Sequence, residues 1–65
     1  MNKEEIAERV AVIERATWDF DGAHRLEDSL YLDFIKHVAS QNGPYSAMAK
    51  QILKTQDLTF SRYCA

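Results

Sequence analysis

The sequence predicts an all-α fold: a small three-helix bundle with the C-terminal aromatic tail docked across it. Three observations carry that expectation. Apolar residues recur at helical spacing in three separate stretches. The two glycines and the single proline fall at the breaks and interrupt none of those stretches. The connections are too short to separate domains, so the 65 residues form one helical domain, 1–65.

The first helix is expected over about Lys3 to Thr17. Asn2 can cap it, with Glu5 three residues on as in a capping box. Ile6, Val10, Ile13 and Thr17 follow one another at helical spacing and draw a single apolar stripe. Glu4, Glu8 and Arg15 lie on the far side, and Glu5 and Arg9 are spaced for an i,i+4 pair. Trp18 and Phe20 flank the break and are expected to plug the end of the core.

The second helix is expected over about Gly22 to Gln41, with Asp21 as its N-cap. Ala23, Leu30, Tyr31, Phe34, Ile35 and Val38 span one broad arc at 100° per residue, wide enough to meet two neighbouring helices. Arg25, Ser29, Asp33, Lys36, His37 and Ser40 occupy the opposite side. Asn42-Gly43 fits a left-handed stop, and Pro44 prevents continuation.

The third helix is expected over about Pro44 to Lys54, because proline suits a first turn. Tyr45, Met48, Ala49 and Ile52 form its inner face, with Leu53 at its margin, and Lys50 and Lys54 point outward. The tail from Asp57 to Ala65 is aromatic. It should take an extended step and then one helical turn, packing Phe60 and Tyr63 on the bundle.

Composition limits function. A chain this short buries only about 60% of its unfolded surface, which disfavours a self-contained enzyme with a deep pocket. Eight basic and ten acidic residues give a formal charge of -2, too little positive charge for a nucleic-acid clamp. A helix-turn-helix reading of the second and third helices also fails on charge, since the supposed recognition helix offers only Lys50, Gln51 and Lys54. Residues 1–33 hold nine acidic and four basic side chains, and residues 34–65 hold one and four. That asymmetry joins the halves of one fold or favours self-association. With one cysteine, Cys64, no internal disulfide can form. The polar start has no signal-peptide character, and no apolar run approaches a membrane span. The expected setting is a reducing cytoplasm, with no membrane and no nucleic acid as partner.

The most informative segment is Ala23-His24-Arg25-Leu26-Glu27-Asp28. On the helical wheel Glu27 falls between Phe34 and Val38, and His24 and Asp28 flank Ile35. These polar residues therefore continue the apolar arc. Two readings follow. In one, they form a buried polar network that Arg62 neutralises. In the other, His24, Glu27 and Asp28 form a small ligand or metal site, with Cys64 as a further donor. No spaced Cys or His signature supports a metal, so neither metal nor cofactor is assigned.

The pattern Ala23-His24-x-x-Glu27-Asp28, together with Thr55-x-x-Leu58-x-Phe60-x-Arg62-Tyr63-Cys64-Ala65, resembles a group of short uncharacterised proteins from bacteriophages and bacterial genomes. The resemblance spans residues 19–65, and members often carry Trp where this chain has Tyr63. It implies that the His24/Glu27/Asp28 cluster and the Arg62 tail belong to one unit, and it implies a phage or prophage origin. It brings no established activity. The expected function is a non-enzymatic protein-interaction module, such as a phage-type modulator or inhibitor of a host protein. The alternative is the small ligand- or metal-binding protein centred on His24, Glu27 and Asp28. Interface anchors are expected among Trp18, Tyr31, Tyr45 and Tyr63 where exposed. The expected partner is a host or bacterial protein, with a homodimer as a further expectation because the core is thin.

Overall fold

The computed structural model describes residues 1–60. Three helices follow in order, α1 (Lys3–Arg15), α2 (Phe20–Ala39) and α3 (Pro44–Leu53), and a 3-10 turn, Lys54–Asp57, continues directly from α3. The described residues contain no strand, and the fold is a small all-α three-helix bundle. The docked tail expected around Arg62, Tyr63 and Cys64 lies outside the described residues.

Local chemistry explains the boundaries. Asn2 has extended backbone, and its side-chain oxygen accepts the Glu5 N–H at 2.9 Å. Glu4 and Glu5 sit in the first turn of α1 and Arg15 in its last, as the helix dipole favours. The helix stops at Arg15, two residues before the expected end, and the Thr17 hydroxyl donates back to the Glu14 carbonyl at 3.0 Å.

The cap of α2 corrects the sequence expectation. Asp19, not Asp21, is the N-cap, and its carboxylate accepts the Gly22 N–H at 3.2 Å. A Cβ on residue 22 would collide with that carboxylate, so glycine permits the close approach. Asp21 lies inside the first turn and adds negative charge there. At the other end Ser40 closes the helix, with its N–H donating to Lys36 and His37 carbonyls at 3.1 Å. Gly43 then takes φ 116, the one positive φ among the described residues, and Pro44 opens α3. Nothing lies within 4 Å of a Cβ built on Gly43, so its requirement is conformational rather than steric.

α2 is the central element. α1 packs along one side and α3 along the other, and α1 and α3 do not meet. The molecule is consequently flat, with extents of 38 × 33 × 10 Å. Two stacked helical layers need about 13–15 Å, from an 8–10 Å axis spacing plus the Cα radii of both helices. Ten ångströms is therefore one layer. The radius of gyration, 13.6 Å, exceeds the roughly 10.7 Å of a compact chain of this length.

A one-layer arrangement buries little. Among the described residues Leu30, Ala39, Ser46 and Ala49 are buried, and Leu30 is the only large side chain of the four. Trp18 and Phe20 do not plug a core as expected. They are 83% and 85% exposed, because the connection that carries them sits at the end of the layer with nothing above it.

Candidate functional site

The broad apolar arc of α2 has its neighbours at its two edges, which leaves its middle uncovered. Two open grooves result. Ile6 and Val10 of α1 line the first, with Leu30, Tyr31, Phe34 and Ile35 of α2. Phe34 and Ile35 also line the second, with Val38 of α2 and Tyr45, Met48 and Ile52 of α3. The shared pair makes α2 a ridge between two troughs, and one apolar face runs across all three helices. Val10, Tyr31, Phe34, Tyr45, Met48 and Ile52 are all exposed.

Small residues close the α2–α3 seam beneath this face, and one of them, Ala49, also lines the second groove. Ser46 donates from its hydroxyl to the Ala39 carbonyl at 2.8 Å, which satisfies an orphan acceptor at the end of α2. Ala39 and Ala49 pack close there, so the larger side chains of α3 turn outward to the open face. On the α1 side, Arg9 reaches Asp33 at 2.9 Å and the Ser29 hydroxyl at 3.4 Å. Arg9 thus serves Asp33 of α2 rather than the Glu5 partner that spacing suggested.

The polar corner lies on the same face, toward the start of α2. His24 Nδ1 stands 3.9 Å from Glu27 Oε1, and Nε2 stands 3.7 Å from Asp28 Oδ2. Both separations exceed hydrogen-bond range, so any attraction there is between charges when the ring is protonated. The neighbouring Glu27 carboxylate, as a hydrogen-bond acceptor and as a charge, raises the Tyr31 pKa above its usual value near 10, with lesser contributions from desolvation and Asp28.

The wheel put these residues on the right face, but the expected buried network is not observed. The side chains of His24, Glu27 and Asp28 are 37%, 45% and 55% exposed. The reason is the single layer: no other described element packs over this face to bury them. Arg62, their expected neutralising partner, is outside the described residues. No described group of three or more His, Cys, Asp or Glu side chains is placed to hold a metal ion.

Of the expected anchors, Tyr31 and Tyr45 do stand exposed on the open face. Trp18 is exposed too, but at the α1–α2 turn, away from both grooves. Tyr63 is outside the described residues. Phe34, Ile35, Met48 and Ile52 were read as core and are instead the substance of the face. The signal was present in the alanine and serine positions, which mark where α3 approaches α2 and so which way its large side chains must turn.

No protein-family model, curated protein or solved structure matches the chain. Among the described residues no helix is long and apolar enough to cross a membrane.

Proposed function

We propose that this chain is a small non-enzymatic protein-interaction module whose working surface is the open apolar face. The observation that carries the reading is the continuity of that face across α1, α2 and α3. A helix with an apolar stripe must bury it against another element, and among the described residues no second layer does so. The mechanism is occlusion: the flat face covers an apolar surface of another protein, with Tyr31 and Tyr45 as amphipathic anchors. The resemblance to small phage proteins supports a role in engaging a bacterial protein, by analogy alone. The ligand- or metal-binding alternative has less support, since none of His24, Glu27 and Asp28 lines either groove.

Site-specific photo-crosslinking tests the reading. A photoreactive residue at position 31 or 48 should capture protein in cells that produce the chain. The same group at position 25 or 36, on the polar side of α2, should capture far less. If front and back positions label alike, or neither labels, the module reading fails.

A further inference from the structure

We infer that the occupant of the open face is a second copy of this chain, giving a two-fold dimer with two layers and six helices. The inference names the partner of the module described above and rests on that reading.

Area is the first argument. The plate outlines about 1,250 Å², from its 38 × 33 Å extents. A stable standard-size complex covers about 800 Å² per partner, so roughly two thirds of the outline suffices.

Permanence is the second. An occupant that comes and goes requires a chain that stays folded without it. Here Leu30, Ala39, Ser46 and Ala49 make up the whole buried set among the described residues, and no side chain is fully enclosed. A permanent interface resembles a domain core cut in half, and these uncovered Phe, Ile, Met and Tyr side chains have that composition. A second copy is present wherever the first is made.

Shape is the third. A two-fold interface must be self-complementary. A ridge at Phe34 and Ile35 flanked by two troughs meets that demand, since each copy's ridge can seat in a trough of the other.

The purified chain at micromolar concentration should sediment as a dimer, and its melting temperature should rise with protein concentration. Phe34→Asp should weaken the dimer about 1,000-fold, because each of two symmetric sites loses a hot-spot residue of about 30-fold effect. Lys36→Asp, on the polar side, should leave the dimer intact. Should Phe34→Asp not fold, isotope-filtered NOEs on mixed-labelled wild type decide: contacts between the Phe34 ring and Met48 methyl of different copies are expected. A monomer with a cooperative, concentration-independent melt overturns the inference. So does a monomer that binds an apolar dye only after residues 61–65 are deleted, which would make the chain's own end the cover. If such a monomer still crosslinks another protein through position 31 or 48, the module reading survives and the self-pairing alone is lost.

Discussion

The two seams of the plate are built by different means. Along α2–α3 the contact is dry and close: Ala39, Ser46 and Ala49 are all buried, and one short hydrogen bond crosses it. Along α1–α2 the contact rests on Leu30 and on the partly exposed Arg9–Asp33 pair. A seam of small residues fixes spacing closely, because no side chain can reorient to absorb a change. A seam held by a long, half-solvated ion pair tolerates adjustment, and such a pair contributes little net stability.

That contrast can be broken or sharpened by substitution, with stability measured at one protein concentration throughout. The largest effect is expected from Ala49→Leu, which overpacks the close seam and should cost about 1–3 kcal/mol in denaturant unfolding. A neutral result would mean that α3 is free to move away from α2. Next comes Ser46→Ala, which strands the Ala39 carbonyl at a buried position and should cost about 1–2 kcal/mol. Arg9→Met keeps most of the stem and removes the charge, so a loss below about 1 kcal/mol is expected. A double-mutant cycle with Asp33→Asn that returned a larger coupling would put the two seams on an equal footing.

The smallest effect concerns the polar corner. Its carboxylate neighbours favour protonated Tyr31 in the folded chain. The resulting stability is fully present below the usual tyrosine value near 10 and is lost as pH rises through the higher folded value. In an ultraviolet titration Glu27→Gln should return the Tyr31 transition toward the ordinary range. An unchanged titration would show that Glu27 does not hold the hydroxyl.

Helix positions were legible because their signals are local. Asn2 before an acidic turn, and Gly43 before Pro44, each act within four residues. The Asp19 cap was missed because Asp19-Phe20-Asp21-Gly22 offers two aspartates near the break, and either carboxylate suits an N-cap on composition alone. Periodicity assigned Phe34, Ile35 and Val38 to one arc correctly. It could not say which part of the arc a neighbour covers, since that depends on how α1 and α3 are disposed around α2. The polar corner inherited the same blind spot: His24, Glu27 and Asp28 were placed on the apolar side, and apolar side was equated with interior.

The lack of any meeting between α1 and α3 has a kinetic consequence. Among the described residues, every helix–helix contact joins helices that are consecutive in the chain. The loops to be closed are short, and the mean sequence separation of contacts is low, the regime in which helical domains fold on the order of microseconds to milliseconds. Within a dissociated copy, opening of α1 leaves the α2–α3 pair undisturbed, so amide exchange in α1 should there be governed by its own fraying rather than by global unfolding.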